Sequence, residues 1–373
     1  MFRHTLPIGR ILGIPIDVDY SWFLVFGLLT WILAVSYYPV ELKGGTVVEF
    51  WLMGAATAIL FFSSIILHEL AHSAVALRYK IPVRRITLFI FGGVSQIADE
   101  PPNAAAEFFV AIVGPLASFA LAAIFFALQP LLIHIGPALA VAKYLALINA
   151  ILGLFNLIPG FPLDGGRVFR ALVWGWTNDF RRATLLAANT GRFFGFLFIM
   201  VGVWMALKGN LFNGLWTAFI GWFLESAAGT QVQLQLVQDL LVGHKVSEAI
   251  GNSCSRISAD TTLQTLIDQE ILSHGRRCFL VTHGDRVIGL LTLHSIREIP
   301  QSAWATTTAA EAMIPADKLS TIAPTAELWT ALDKMGRDGI NQMPVMQGGD
   351  FLGMLSREDV VHYLQTLQQL QMR

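Results

Sequence analysis

Two histidines and a glutamate in the first half of the chain have the spacing of a metal site. His68 and His72 are four residues apart, and Glu69 lies between them in an apolar stretch. Residues four apart in a helix lie one turn apart on one face, so both imidazoles can reach the same ion. Zn²⁺ binds neutral imidazoles at about 2.0–2.1 Å, and a neighbouring carboxylate can take a proton from a metal-activated water. The spacing therefore predicts a hydrolytic zinc site with Glu69 as general base.

A catalytic zinc usually takes three protein ligands, so a further polar group must approach the histidines. Asp164 is the best candidate, because it ends a long apolar stretch in the segment 156–166, where two prolines and three glycines break any helix. The alternative to a metal ligand is a purely structural role for Asp164, as a helix cap or turn residue. The competing acidic residues lie in or beside a polar loop and are Asp99, Glu100 and Glu107.

The composition indicates what kind of scaffold holds these residues. Of 373 residues, 54% are hydrophobic and only 14% are charged, against about 25% charged in average soluble proteins. A single soluble globule or a disordered chain is excluded, and the net charge of −1 gives no sign of nucleic-acid binding. Charged residues are sparse up to about residue 230 and denser beyond it, which predicts a membrane part followed by a soluble module.

Apolar runs of about 20 residues predict about six membrane spans. They lie near 20–38, 51–77, 104–128, 138–158, 191–207 and 211–228. Arginine and lysine concentrate in alternate connecting segments, which places both termini in the cytoplasm. The β-branched and aromatic segment 86–97, with Gly92 and Gly93 at its centre, favours a short β segment that could bind a substrate by strand addition.

These motifs together resemble the site-2 protease family of intramembrane zinc metalloproteases. The resemblance rests on residues 68–72 and 156–166, in this order, and covers residues 1–228. It implies that His68, His72 and Asp164 ligate one Zn²⁺ per chain and that Glu69 is the general base. It also implies that Asn149, Asn156, Gly92 and Gly93 lie near the substrate.

The activity implied by this resemblance is hydrolysis of a peptide bond within or beside a transmembrane segment. The partners would be a single-span membrane protein, such as a membrane-anchored regulator, and the surrounding membrane lipid. The residues leave a membrane transporter with a regulatory tail as the alternative. A general base beside a histidine pair discriminates against transport, which needs no such base.

The tail after a linker at 229–243 contains an internal repeat. Residues 289–292 recur as 353–356, and residues 247–249 recur as 310–312. The repeat resembles a tandem pair of cystathionine-β-synthase (CBS) domains, at about 244–300 and 307–368 within 244–373. This resemblance implies an α+β fold, homodimerisation, and binding of ATP or AMP through Thr292, Ser356 and Asp359. The first copy has Ser295 in place of the acidic residue.

The expected fold is therefore a polytopic α-helical membrane protein with a short β segment, followed by an α+β CBS pair. Cys254 and Cys278 fall in the module predicted to be cytoplasmic. Because that compartment is reducing, we expect both to be free thiols.

Overall fold

The computed structural model of the protein describes residues 5–90, 92–97, 101–251, 254–276, 278–284, 286–348 and 350–371. Two compact units make up the chain, one ending at Gln235 and the other beginning at Leu236. We describe each unit by itself.

The first unit consists mainly of long helices around a four-stranded sheet. Its strands are β1 (Thr5–Ile11), β2 (Ile14–Asp19), β3 (Val83–Phe89) and β4 (Gly92–Ile97). Its helices are α1 (Tyr20–Ile32), α2 (Tyr38–Glu41), α3 (Val47–Arg78), α4 (Ala104–Leu128), α5 (Gly136–Asn156), α6 (Asp164–Thr177), α7 (Phe180–Leu207) and α8 (Leu211–Leu241), the last of which runs into the second unit. A π-helical turn, Leu33–Tyr37, connects α1 to α2.

Among the described residues, five helical segments are long and apolar enough to cross a membrane. They are Tyr20–Glu41, Val47–Arg78, Ala104–Leu132, Gly136–Asn156 and Phe180–Leu207. This confirms a polytopic membrane fold, with five such segments instead of six. The sixth predicted segment, 211–228, forms the first part of α8. Asn213 and Glu225 interrupt the apolar run of this segment, so α8 is not among the five.

Helix α3 carries the histidine pair and begins with a capping box. The backbone N–H of Glu49 donates to the hydroxyl of Thr46 at 3.2 Å, and the glutamate side chain accepts from the backbone of Thr46 at 3.4 Å. Its 32 residues span about 48 Å, which exceeds the roughly 30 Å hydrocarbon core of a bilayer. His68 and His72 are both buried, so the helix directs them into the protein.

The sheet confirms the β segment predicted near 86–97, since β3 and β4 form an antiparallel hairpin there. The strand order is β1-β2-β3-β4, and β2 pairs with β3 in parallel. Strand β4 therefore lies at one edge of the sheet, and within the described residues no further strand pairs with its outer side. Helix α3 packs against β4. Phe91, which lies between the two strands in sequence, is outside the described residues.

The second unit contains two sheets and several short helices. Its strands are β5 (Ser255–Ser258), β6 (Cys278–His283), β7 (Arg286–Thr292), β8 (Ile314–Pro315), β9 (Gln342–Gln347) and β10 (Asp350–Ser356). Its helices are α9 (Leu263–Leu266), α10 (Leu272–His274), α11 (Leu293–Arg297), α12 (Ala309–Ala312), α13 (Leu328–Asp338) and α14 (Arg357–Gln371). Strands β5 to β8 form one sheet in chain order, and β9 pairs with β10 in the other.

Each repeat copy of this unit has its own hydrophobic core, and each core also contains a residue from the start of the other copy. Phe279 and Leu291 centre the first core, which also contains Ala309 from the start of the second copy. Met343 and Leu355 centre the second core, which also contains Val246 from the start of the first copy. The first segment of each copy therefore packs in the core of the other copy, and these contacts hold the two copies together.

The expectation of two free thiols is wrong, because Cys254 and Cys278 form a disulfide with their Cα atoms 4.7 Å apart. Cys254 directly precedes β5, and β5 pairs in parallel with β6, whose first residue is Cys278. The pairing of these two strands brings together two cysteines that are 24 residues apart in sequence.

A cluster of three polar side chains connects the beginning of the second unit to its last helix. The hydroxyl of Tyr363 on α14 lies 2.8 Å from Nδ1 of His244 and donates to Oε2 of Glu248 at 2.5 Å. The backbone N–H of Lys245 donates to the other carboxylate oxygen at 3.0 Å. These hydrogen bonds, first among them that from Tyr363, lower the pKa of Glu248 to about 2.

Candidate metal centre

The structure brings His68, His72 and Asp164 together at one point. Nε2 of each histidine lies 3.1 Å from Oδ2 of the aspartate, and the two Nε2 atoms are 3.1 Å apart. Both imidazoles are buried, and the aspartate side chain is 16% exposed. Among the described residues these three form a group able to hold a metal ion. Two helices, α3 and α6, supply all three groups.

The donor set fits a zinc ion. In a tetrahedral site with ligand distances of about 2.0–2.1 Å, neighbouring ligand atoms lie about 3.3–3.4 Å apart, close to the 3.1 Å separations seen here. The carboxylate oxygen only accepts hydrogen bonds. Nε2 of His72, which faces it, is also an acceptor, because the other nitrogen of this imidazole donates its proton to the carbonyl of Val110. Acceptors that face one another at this distance require a proton or a cation between them.

Helix α4 orients both imidazoles through their second nitrogens. Nδ1 of His72 lies 2.6 Å from the backbone oxygen of Val110, and Nδ1 of His68 lies 2.8 Å from Oγ of Ser118. A carbonyl only accepts, so His72 carries its proton on Nδ1 and leaves Nε2 free for a metal. Ser118 could not be predicted from sequence, because no motif spacing connects residue 118 to residue 68.

Gly114 lies between these two contacts on the same face of α4, and it leaves the space in front of the histidines open. A Cβ atom at this position would lie 2.7 Å from Nε2 of His68 and closer still to Nε2 of His72. Since these nitrogens are the proposed metal donors, the missing side chain provides the volume that an ion and its open coordination position would need. Pro115 follows inside the helix.

The segment between α5 and α6 positions Asp164. The backbone N–H of Phe161 donates to the carbonyl of Ala187 on α7 at 3.2 Å. Gly160 approaches α7 closely, since a Cβ on it would lie 2.5 Å from the backbone nitrogen of Gly191. Asp164 then opens α6 as its first residue. The prolines and glycines that predicted a helix break thus allow the chain to turn against α7 and direct the aspartate at α3.

Of the three competing carboxylates, Glu107 has a different partner. Its side chain is fully buried and forms an ion pair with Arg170 of α6, whose guanidinium lies 5.0 Å from the ring centre of Phe161 and 4.7 Å from that of Phe180. This pair joins the first turn of α4 to α6. Asp99 and Glu100 lie outside the described residues.

Glu69 lies beside the metal group and faces strand β4. Its Oε2 accepts a hydrogen bond of 2.6 Å from the hydroxyl of Ser95. A Cβ on Gly93 would lie 2.7 Å from Cγ of Glu69, so glycine permits the strand to approach the helix this closely. Gly92 opens the strand with φ +123°, a conformation that side chains disfavour. Ser95 lies within the predicted β segment 86–97, but its contact with Glu69 was not predicted from sequence.

The two asparagines occupy different environments on α5. Asn149 is fully buried, and its Nδ2 donates to the carbonyl of Leu145 at 2.8 Å and to the hydroxyl of Ser64 on α3 at 3.4 Å. Its Oδ1 is buried with no partner within the part of the chain that the structure describes. Asn156 is the last residue of α5 and is half-buried. The structure therefore brings Asn149 to the helix of the histidine pair, and it places Asn156 at the entrance to the segment that carries Asp164.

The three predicted nucleotide-binding residues form helix caps. The hydroxyl of Thr292 accepts from the N–H of Ser295 at 3.4 Å at the start of α11. Oδ2 of Asp359 accepts from the N–H and the hydroxyl of Ser356, at 2.8 and 2.6 Å, at the start of α14. Gly251 lies against this carboxylate, since a Cβ on it would be 2.8 Å from Oδ1.

Gly251 also lines a cavity of about 180 Å³, smaller than the roughly 300–1,000 Å³ of most ligand pockets. It is lined by residues from both repeat copies, Gly251, Cys254, Arg256, Leu280, Phe351, Leu352, Gly353 and Met354.

Comparison with protein families gives two matches. The model of Peptidase family M50 matches residues 56–134 and 129–202, which include the histidine pair and Asp164. The CBS domain model matches residues 309–366.

Two curated relatives align along nearly the whole chain. Rip3 of Mycobacterium tuberculosis is 34% identical over 97% of this chain and 93% of its own. The protein sll0528 of Synechocystis is 32% identical over 98% of this chain and 96% of its own. Both names contain the term zinc metalloprotease. The solved site-2 protease from Methanocaldococcus jannaschii aligns at 25% identity with a TM-score of 0.42, over 61% of this chain and 95% of its own.

Proposed function

The chain belongs to the zinc metalloproteases of peptidase family M50, the site-2 protease family, and on this premise we propose that it hydrolyses a peptide bond within or beside the transmembrane segment of a membrane protein. The observation that carries the proposal is the convergence of His68, His72 and Asp164, with Glu69 beside them, inside an apolar helical unit. Ionisable groups at such depth are costly unless they are paired or coordinated, which supports a functional role.

The chemistry divides between the ion and the side chains. His68, His72 and Asp164 would hold the zinc, which would supply a Lewis acid able to acidify water and polarise a carbonyl. Glu69 accepts the proton that the attacking water loses and delivers it to the nitrogen of the departing amine, as the C–N bond breaks. Val110 and Ser118 keep the imidazoles aligned throughout, because they bind the nitrogens that face away from the ion.

We assign substrate binding to the edge strand β4. A transmembrane substrate arrives as a helix and must be extended before its peptide bonds become accessible, and an unpaired strand edge can hold it extended. β4 contacts Glu69 through Gly93 and Ser95, so a strand added to its outer edge would run beside the base. A Val94→Pro variant should lose cleavage and keep its zinc, whereas Ile8→Pro, on the opposite edge strand β1, should retain both. Normal cleavage by Val94→Pro would refute this assignment.

We assign the two asparagines to the same substrate. Oδ1 of Asn149 has no partner among the described residues, so it can accept a hydrogen bond from a substrate N–H. The amide nitrogen of the same side chain already donates to the carbonyl of Leu145. Asn156 would act from the segment that leads to Asp164, where its amide can bind the substrate backbone or the developing oxyanion.

We place both termini in the cytoplasm and the protein in the cell membrane. His72 lies six residues before Arg78, about 9 Å along α3, so the metal group lies near the end of the helix that carries the basic cluster. Basic segments favour the cytoplasmic side. This topology requires α8 to cross the membrane as well, and its 31 residues reach about 46 Å.

The Glu69→Gln variant provides the decisive experiment. Membranes from cells expressing the wild type should contain new protein N-termini inside or beside single transmembrane segments, detected by terminal-peptide mass spectrometry. Glu69→Gln should abolish them while the purified protein keeps its zinc, since the carboxylate is not a ligand. Glu49→Gln is the matched control, because it makes the same change at the exposed start of the same helix and should cleave normally.

The same comparison discriminates the transporter alternative. A transporter would give identical terminal peptides in the wild type and in Glu69→Gln. It would instead show a flux across proteoliposomes that zinc removal or the His68→Ala change alters. Identical terminal peptides would therefore reject the protease proposal.

For the second unit we propose regulation by an adenine nucleotide, with homodimerisation as the competing role. Asp359 lies close to Gly251, which also lines the cavity between the repeat copies. A ribose could reach the carboxylate only if the Gly251 segment moves, since the cavity is small. We therefore expect nucleotide binding to be coupled to a change between the two copies.

Titration calorimetry of the full chain in detergent with ATP and AMP tests this assignment. Binding that is lost in Asp359→Ala and retained in Asp317→Ala, a change at an acidic residue of the same unit, supports it. The absence of heat with both nucleotides rejects it. Light scattering of the same samples shows whether the protein is a dimer without a nucleotide.

A further inference from the structure

The hydroxyl of Ser95 donates a short hydrogen bond to the Glu69 side chain from β4, the strand to which we assign substrate binding. Its Oγ lies 2.6 Å from Oε2 of Glu69. A charge-assisted O–H···O bond of this length is among the stronger hydrogen bonds in proteins. Ser95 lies two residues after Gly93 on β4, and side chains two apart on a strand point to the same face of the sheet. That face packs on α3.

The hydroxyl of Ser95 has several acceptors within reach. Ser73 on α3 donates to the backbone carbonyl of Glu69 at 2.8 Å, which uses its one proton. Oγ of Ser95 lies 3.3 Å from that carbonyl, 3.3 Å from Oγ of Ser73 and 2.6 Å from Oε2 of Glu69. Its single proton goes to the carboxylate, which is the nearest and the charged acceptor. The rotamer of Glu69 is therefore set from β4 as well as from its own helix.

We propose that Ser95 is a positioning residue, which holds the Glu69 carboxylate in the orientation from which it accepts the proton of the attacking water. The proposal rests on the proposed protease function. It makes β4 serve two purposes at once, since the strand that binds the substrate also holds the base. A substrate strand that docks on the outer edge of β4 would steady the strand and therefore the base.

Three substitutions separate the hydroxyl from the shape of the side chain. Ser95→Ala and Ser95→Val remove the hydroxyl, and Ser95→Thr retains it with the shape of valine. Loss of an orienting partner typically reduces activity by about 10- to 100-fold. We expect a loss of this size in kcat for Ala and Val, KM within about twofold of the wild type, and substantial recovery in Thr. The probe is a labelled single-span peptide in bicelles, carrying a cleavage sequence found in the terminal-peptide experiment.

Ser63→Ala is the control, since this exposed serine of α3 donates to the carbonyl of Ile59 in its own helix, at 2.8 Å. Zinc content, measured by mass spectrometry, should equal that of the wild type in all four variants. Wild-type kcat in Ser95→Ala, or equal kcat in Ser95→Thr and Ser95→Val, overturns the proposal.

An infrared measurement keeps this test independent of the protease assignment. The wild-type spectrum minus that of Glu69→Gln isolates the carboxylate band of Glu69. This band should shift in Ser95→Ala and Ser95→Val and return in Ser95→Thr. If no peptide is cleaved by the wild type, the protease function fails, while the band shift still reports the contact. An unshifted band in Ser95→Ala rejects the positioning role even where cleavage by the wild type is normal.

Discussion

Replacing Gly114 by alanine should expel zinc from the protein while its helices remain intact. The new Cβ would lie 2.7 Å from Nε2 of His68, roughly 0.8 Å inside the usual contact distance of about 3.5 Å. The nearer overlap is with Nε2 of His72, so both proposed donors must move. Alanine in a helix interior is favoured over glycine by about 1 kcal/mol, so α4 itself should gain stability.

The size of the effect follows from what the imidazoles would lose. Displacing a partner that only orients a metal ligand weakens binding by about 10- to 100-fold. Here two ligand nitrogens are themselves displaced, so we expect at least a 100-fold weaker affinity for zinc. Because the neighbouring atoms belong to rings that are also held by Val110 and Ser118, neither ring can move without breaking a hydrogen bond.

Chelator competition on the purified protein, with zinc measured by mass spectrometry, checks this expectation. Gly27→Ala is the matched control, because that glycine also lies within a membrane helix and a Cβ there meets nothing within 4 Å. Its zinc affinity should equal that of the wild type. If Gly114→Ala binds zinc with wild-type affinity, the ion does not lie between the two imidazoles, and the metal site as described here is incorrect.

Three further predictions follow from contacts elsewhere. Ser118→Ala should weaken zinc affinity by about 10- to 100-fold in the same competition assay, and an unchanged affinity would show that the hydroxyl does not orient the ligand. Arg170→Ala should lower the free energy of unfolding by about 3–5 kcal/mol in denaturant titrations, because it leaves Glu107 buried and unpaired; adding Glu107→Gln should recover part of that loss. Because the folded-state pKa of Glu248 is lowered to about 2, its contribution to stability is present above about pH 4.5 and declines as pH falls toward 2. Glu248→Gln should flatten this part of the stability curve relative to the wild type, and so should Tyr363→Phe, whereas identical pH profiles would contradict it.

The local parts of the candidate site were accessible from sequence because they depend on helix periodicity. The separation of His68 and His72 by one turn needs only a helix. Asp164 needed one further step, the scarcity of polar groups near a predicted break. Its actual approach to the histidines depends on Gly160 and Gly191, whose contact between two segments no spacing reveals.

The groups that surround the site could not be predicted, since each comes from an element that only tertiary packing brings close. Ser95 and Ser118 lie on β4 and α4, and nothing in their own sequence distinguishes them from other serines of the first unit. The disulfide between Cys254 and Cys278 could not be predicted for the same reason, because it depends on the parallel pairing of two strands. Periodicity predicts elements, whereas contacts between elements depend on the pairing of particular faces.

The ion pair between Glu107 and Arg170 has a consequence for how the protein is made. The two residues are 63 positions apart, so at about 5–20 residues per second the ribosome adds the arginine roughly 3–13 s after the glutamate. During that interval the carboxylate has only the N-terminal end of α4 to stabilise it, where a helix dipole favours a negative charge. A nascent chain that stops between these positions contains the Glu107 carboxylate without its partner Arg170. We therefore expect α4 to reach its final packing only after α6 has been synthesised. The order in which these helices are made would then set the order in which they pack together.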